Sequence, residues 1–145
     1  MPHYTVAQCE DLLARVFPPW IAALDIRVEA SEPGRVVLRL PASKPIERIG
    51  GIVCGQALMA FADTAMIVAT VSHLGEFVPV ATVSQTTHFL AGAADGDVTA
   101  DVRLTRTGRT LVFAEATMTC GDPAYPVARI SGVVAIPLRP TGSSS

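Results

Sequence analysis

The segment 55–73 limits the fold of this sequence more than any other, because it is suited to a helix and almost uniformly apolar. It contains no proline and no glycine after Gly55. Its main apolar residues are Ala57, Leu58, Met59, Phe61, Ala62, Ala65, Met66, Val68, Ala69 and Val71. On a helix they cover almost the whole circumference, and a helix that is apolar all round is buried on all sides. We therefore expect other elements to wrap this helix.

The composition indicates one folded domain with more apolar surface than it can bury alone. The chain has 145 residues, of which 50% are hydrophobic and 17% are charged, and its mean hydropathy is +0.42. Residues 1–140 fit one domain, and the serine-rich residues 141–145 form a predicted flexible C-terminal tail. A globular domain of this size buries roughly 70% of its unfolded surface. The surplus apolar surface therefore predicts contact with a second subunit.

The charge pattern disfavours several functional classes and locations. A net charge of −2 argues against nucleic-acid binding, which usually requires a basic excess. Asp63 interrupts the most apolar stretch, residues 49–75, so membrane insertion is not expected. The N-terminal residues show no signal peptide, and the spacing of the three cysteines and three histidines does not suit a metal site. We predict a cytoplasmic protein with reduced thiols and no metal.

Apolar periodicity predicts two helices and six strands. The helices lie at 5–17 and 55–73, and the strands at 26–30, 35–40, 80–89, 98–106, 110–120 and 126–136. Pro33 and Gly34 fit the central positions of a type II turn, so the first two strands form a hairpin. The four strands after the long helix are expected to form an antiparallel meander. An α+β fold, with an antiparallel sheet wrapped around one buried helix, accommodates this order most simply.

Asp63 is the main candidate for chemistry, because it places a carboxylate inside the apolar helix. A buried carboxylate must be paired, hydrogen-bonded or face a cavity. Asp63 is therefore either a structural residue or a general base or nucleophile in a dry pocket. Gly50, Gly51 and Gly55 lie around the helix start. They either permit tight packing or leave free N–H groups for an anion or a developing oxyanion.

The spacing of these two features predicts a site shared between chains. Gly55 and Asp63 are eight residues apart, which is about 12 Å along a helix. One chain cannot bring both to the same carbonyl, because reacting atoms lie about 3 Å apart. If both act together, a second copy supplies one of them.

Three stretches resemble the hotdog-fold acyl-CoA thioesterases of the phenylacetate-degradation, or PaaI-like, type. They are GQALMAFADTAM at 55–66, TVSQTTHFL at 82–90 and RTGRTLVFAE at 106–115. The similarity covers residues 24–137 in matching order and implies a six-stranded antiparallel sheet around the helix. It also implies a homodimer and usually a dimer of dimers. Cys54, Gly55 and Gln56 stand where His-Gly-Gly is usual, and Arg48 stands in place of an asparagine, which indicates a branch that lacks the histidine.

The resemblance also implies residue roles. Asp63 acts as base or nucleophile, and the Gly55 and Gln56 amides of the partner subunit polarise the thioester carbonyl. Thr64 is expected to hydrogen-bond the attacking water. The predicted substrate-binding residues are Arg48, Cys54, Thr64, His88, Phe89, Arg106 and Arg109. Alternatively, Cys54 is a small buried residue or a reactive thiolate, His88 is structural, and the arginines belong to a solvated hairpin.

The predicted function is hydrolysis of a fatty or aromatic acyl-CoA to the free acid and coenzyme A. No cofactor is expected, since coenzyme A is part of the substrate. The alternatives are a non-catalytic acyl-CoA sensor or carrier, an interaction module without a ligand, and a hotdog hydratase or dehydratase. The last is disfavoured because the sequence has no Asp-x-Asn-x-x-His run.

Overall fold

The computed structural model describes residues 2–138 and gives the bounds of the helices and strands. The helices are α1 Val6–Val16, α2 Pro19–Ala22 and α3 Gly55–Leu74. The strands are β1 Arg27–Glu32, β2 Arg35–Leu40, β3 Glu47–Arg48, β4 Ile52–Val53, β5 Ala81–Phe89, β6 Val98–Thr107, β7 Leu111–Thr119 and β8 Pro126–Ala135. The predicted tail at 141–145 lies outside the described residues.

Six strands form one antiparallel sheet in the order β1-β2-β6-β7-β8-β5. The predicted meander of four strands is therefore wrong for β5, which pairs with β8 instead of β6. The physical reason is the long helix: α3 carries the chain from the β2 side of the sheet to its far edge. Strand β5 takes that edge, and β6, β7 and β8 then fill the space between. The free edge of β5 ends the sheet on this side.

The long helix is buried on all but one side. Helix α3 packs against β2, β5, β6, β7 and β8, and Phe61, Met66 and Val68 are completely buried. The helix is long and apolar enough to span a membrane, but 67% of its apolar window is buried inside the domain, as expected of a core helix. The exception is a stripe at helical spacing, in which no side chain is fully buried: Gln56, Met59, Asp63 and Ile67. This α3 stripe is the part of the helix that the chain itself leaves open.

Helix α1 and the hairpin of β1 and β2 form as predicted. Thr5 caps α1 in a capping box with Gln8, which explains why the helix begins at Val6. Gly34 adopts a φ of +70°, which fits the third position of a type II turn. Pairing of Glu32 with Arg35 extends β1 two residues beyond the predicted end, because the turn contains only the two residues between them.

An ion pair ties β2 to β6 on the outer face of the sheet. The Arg35 Nε donates to Asp101 Oδ1 at 3.0 Å, and its Nη2 donates to Oδ2 at 3.0 Å. This bidentate contact holds the pKa of Asp101 below its usual value. The pair lies on the opposite side of the sheet from α3, since its neighbours Val36 and Val102 are buried in the core.

Candidate active site

The third turn of α3 places Asp63 on the α3 stripe, against the inner face of β5. The Thr82 hydroxyl of β5 donates to Asp63 Oδ1 at 2.5 Å. The side-chain amide of Gln85, three residues further along β5, donates to the Met59 backbone carbonyl at 3.2 Å. Asp63 is half-buried rather than fully enclosed by its own chain. It is therefore a hydrogen-bonded carboxylate that its own chain leaves partly exposed, and no described residue hydrogen-bonds its second oxygen.

The start of α3 presents two N–H groups without an acceptor. Cys54 is the N-cap residue and makes no side-chain cap hydrogen bond. Its carbonyl accepts hydrogen bonds from the amides of Ala57 at 3.1 Å and Leu58 at 3.2 Å. Among the described residues, the amides of Gly55 and Gln56 donate to nothing. Since helix N-termini attract negative charge, these two free N–H groups are a candidate donor pair for an anion.

Phe89 lies directly on this helix start, with its ring against Gly55. A Cβ added to Gly55 would lie 3.2 Å from Phe89 Cζ and 3.4 Å from Cε1. Such contacts are tighter than side chains normally make, so a side chain at residue 55 would shift the Phe89 ring by a few tenths of an ångström. Gly55 and Phe89 also line an open cleft of about 310 Å³, together with Leu58, Leu90 and Arg48. The small hairpin of β3 and β4, which was not predicted, places Arg48 at this cleft.

Asp63 and the amide pair lie on one helix but in different turns. The eight residues between Gly55 and Asp63 correspond to about 12 Å along the helix axis. A single chain therefore presents a carboxylate and a pair of free amides that cannot reach the same carbonyl group.

Two predicted residues are not brought to Asp63. The Thr64 hydroxyl is buried and donates to the Ala60 carbonyl at 2.8 Å, because adjacent helical residues point in directions about 100° apart. His88 pairs with exposed Arg129, so it faces the outer side of the sheet, whereas Phe89 faces the inner side. Thr82, rather than Thr64, is the threonine whose hydroxyl reaches Asp63. The sequence signal for Thr82 is that it faces the same side of β5 as Phe89, once the bulge next to Val83 is counted as one extra residue.

The predicted arginines lie on and beside the β6–β7 turn. Arg106 and Arg109 are exposed and, within the described residues, their side chains form no ion pair or hydrogen bond. Val112 of β7 pairs with Val134 of β8, which in turn pairs with Thr82. The turn therefore lies at the Asp63 end of the sheet and away from the start of α3.

The cysteines divide into one residue at the site and two elsewhere. Cys54 caps α3 and packs in part against the core. Burial raises the pKa of the Cys9 and Cys120 thiols, which opposes thiolate formation. All three are free cysteines. No three His, Cys, Asp or Glu side chains within residues 2–138 lie close enough to hold a metal ion.

The chain is similar to known thioesterases in sequence and in structure. The sequence profile of the thioesterase superfamily matches residues 50–127, which is more than half of the chain. A thioesterase family protein from Silicibacter pomeroyi is 26% identical, with a TM-score of 0.82 over 92% of this chain and 99% of that chain. Zebrafish thioesterase superfamily member 2 is 19% identical, with a TM-score of 0.82 over 92% of this chain and 99% of that chain. No curated protein matches the chain.

These similarities confirm the predicted hotdog fold. A thioesterase from Haemophilus influenzae shares it, with 18% identity and a TM-score of 0.80 over 97% of this chain and 96% of that chain. The matched segment 50–127 contains the start of α3, Asp63 and Thr82. The PaaI-like type and the branch that lacks the histidine remain predictions. The chain belongs to the thioesterase superfamily and is a hotdog-fold thioester hydrolase.

Proposed function

We propose that this protein hydrolyses acyl-CoA thioesters at a site that two subunits share. Asp63 of one subunit supplies the base or nucleophile, and the Gly55 and Gln56 amides of the other bind the carbonyl oxygen. With Asp63 as base, its carboxylate takes a proton from water, and the oxygen of that water attacks the thioester carbon. The tetrahedral oxyanion then collapses, the carbon–sulfur bond breaks, and the coenzyme A sulfur takes up the proton as the thiol.

The observation that carries this proposal is the pairing of a bonded carboxylate with an unoccupied donor pair on one helix. Thr82 fixes one oxygen of Asp63 and leaves the other available. The Gly55 and Gln56 amides have no acceptor within the described residues. The first N–H groups of a helix have no partner within the helix, so solvent or a ligand must accept their hydrogen bonds. An oxyanion at this position supplies the missing acceptor.

The α3 stripe and the β5 edge support a homodimer. Met59 lies midway between Gly55 and Asp63 and is 42% exposed, and Val83 on β5 is 59% exposed. A two-fold axis near Met59 places residue 63 of one helix opposite residue 55 of an antiparallel copy. The Gln85–Met59 hydrogen bond lies beside the same axis, so pairing of the two β5 edges about Gln85 satisfies the same symmetry. We extend this proposal to a dimer of dimers in the cytoplasm, as the resemblance implies.

Coenzyme A is expected to bind through its phosphates to exposed arginines. Arg48 borders the cleft at the start of α3, and Arg106 and Arg109 lie at the Asp63 end of the sheet. Guanidinium groups form charge-assisted bidentate contacts with phosphate oxygens. Cys54, which stands in place of the usual histidine, is the N-cap residue of the helix and makes no side-chain cap hydrogen bond. The reaction needs no cofactor.

The decisive experiment compares the wild type with Asp63→Asn on a panel of acyl-CoAs by following thiol release. Asparagine keeps the size and can still accept the Thr82 hydrogen bond, but it cannot act as a base. We expect kcat/KM to fall at least about 100-fold with an unchanged oligomeric state. Asp11→Asn, an exposed carboxylate on α1 paired with Arg15, is the matched control and should keep full activity.

Equal rates for the wild type and Asp63→Asn would refute the proposed role of Asp63. Tight acyl-CoA binding without turnover in the wild type would favour the non-catalytic sensor or carrier. A hydratase is disfavoured by geometry as well as by sequence, because His88 lies on the outer face of the sheet. His73, ten residues after Asp63 on α3, is about 15 Å further along the helix.

A further inference from the structure

A second cleft, whose lining side chains are all apolar, begins one helical turn beyond Asp63. It lies between α1, the C-terminal half of α3 and the segment that leads into β5, and its volume is about 250 Å³. Its walls include Val16 and Phe17 of α1, Ile67 and Val71 of α3, and Phe77 and Val80 of the connecting segment. All of its lining residues are hydrophobic or proline.

The two residues that define the chemical site both lead into this cleft. Ile67 follows Asp63 by one turn of α3, and Val80 precedes Thr82 by two residues. These steps are about 5.4 Å on a helix and about 6.7 Å on a strand. The hydrogen bond between Asp63 and Thr82 therefore lies close to the end of the cleft that Ile67 and Val80 form, although neither Asp63 nor Thr82 lines it. A carbonyl carbon bound at Asp63 has apolar walls directly on its helix C-terminal side.

We propose that the acyl group of the substrate occupies this cleft, which selects apolar acyl groups of up to about ten carbon atoms. This inference rests on the proposed function for the position of the thioester. The size follows from the volume: a cavity of about 150 Å³ holds the six carbons of benzene, so 250 Å³ holds about ten at the same packing. A hydroxyl or carboxylate at the far end of the acyl group meets no polar side chain and is disfavoured.

The test measures affinity without requiring turnover. S-(2-oxoalkyl)-CoA thioethers keep the carbonyl but replace the thioester with a bond that water does not cleave. We expect affinity to rise about fourfold for each methylene that enters the cleft. The rise should stop near ten carbons, and a terminal hydroxyl on an eight-carbon chain should weaken binding by about fivefold or more.

Two substitutions on α1 test whether the acyl chain lies in this cleft. Val16→Trp puts an indole into the cleft from the end of α1, where Val16 is 41% exposed and a larger side chain is tolerated. Val6→Trp is the matched control, since Val6 is 37% exposed on the same helix but does not line the cleft. With Val16→Trp, the affinity should stop rising at a chain length that is several carbons shorter, whereas Val6→Trp should follow the wild type. With Phe77→Ala, at the opposite wall, the affinity should go on rising to a longer chain.

The outcomes separate this inference from the proposed function. A chain-length profile that Val16→Trp and Phe77→Ala do not move overturns the inference, as does a lack of binding by every analogue. A change of oligomeric state in Val16→Trp with an unchanged profile also overturns it, because a second copy then covers the cleft. If the profile behaves as expected but no acyl-CoA is hydrolysed, the acyl cleft stands and the thioesterase proposal fails. Hydrolysis without chain-length dependence gives the reverse result.

Discussion

A site shared between two subunits predicts recovery of activity when two inactive variants are mixed. Asp63→Asn removes the carboxylate, and Gly55→Pro removes one N–H from the donor pair. In a dimer that contains one subunit of each kind, one site carries both lesions and the other carries neither. The mixed dimer should therefore be active although both parents are not.

The structure explains why Gly55→Pro should fold. Gly55 is the first residue of α3, a position that favours proline. The preceding residue, Cys54, has φ −68° and ψ 152°, which is the extended conformation that proline requires before it. The amide that is lost has no acceptor within the described residues. The new Cβ displaces the half-exposed Phe89 ring, and Gly55→Ala controls for this effect because it adds the Cβ but keeps the N–H.

The expected magnitudes follow from the geometry. Loss of one oxyanion donor lowers kcat by about 100- to 1000-fold, and loss of the base lowers it by about 100- to 10,000-fold. After free exchange of equal amounts, half of the dimers are mixed and each has one intact site of two. The mixture should therefore recover about a quarter of the wild-type activity per subunit.

The assay is thiol release after the two variants are refolded together or co-expressed with different tags. Co-purification through both tags establishes that mixed dimers have formed. The reasoning is refuted if such mixed dimers show only the average of the two parental activities. It is also refuted if Gly55→Ala is as inactive as Gly55→Pro, since the N–H is then not the group that matters.

Three further predictions test the site, the interface and the sheet. Thr82→Val should lower kcat about tenfold, because a hydrogen bond to a charged group is lost, whereas Thr82→Ser should keep most activity; equal kcat values would contradict this. Val83→Lys places a charge on the free edge and should yield an inactive monomer by light scattering. Asp101→Asn should lower Tm at pH 7. The difference should shrink as the pH falls below about 4, because a carboxyl whose pKa is lowered by folding stabilises only while ionised; a constant difference would exclude the Arg35 ion pair as its cause.

The two main helices and the six main strands could be predicted from the sequence, but the order of the strands in the sheet could not. The apolar periodicities of α1 and α3 and of the six main strands depend on local patterns, which are visible in one chain. The position of β5 depends on where α3 delivers the chain, which is a long-range property. Strands β3 and β4 are two residues each and too short to produce a period.

The candidate site could be predicted where a residue differs in type from its neighbours in the sequence. It could not be predicted where the direction of a side chain decides what it contacts. Asp63 is a single carboxylate in an apolar helix, and Gly55 begins that helix, so both could be found from the sequence. Thr64 follows Asp63 in the chain but points elsewhere on the helix, and its hydroxyl bonds its own backbone. His88 and Phe89 are consecutive in a strand and cannot both face α3, which the alternation of side chains already required.

Because Phe89 contacts the start of α3, the effects of substitutions at positions 55 and 89 depend on each other. A side chain at position 55 must shift the ring by a few tenths of an ångström, so the cost of a first change there depends on how far Phe89 can move. A prior exchange of Phe89 for a smaller residue removes that barrier. Variation at the helix start is thus contingent on the end of β5, and a search that changes one residue at a time underestimates how tolerant the pair is.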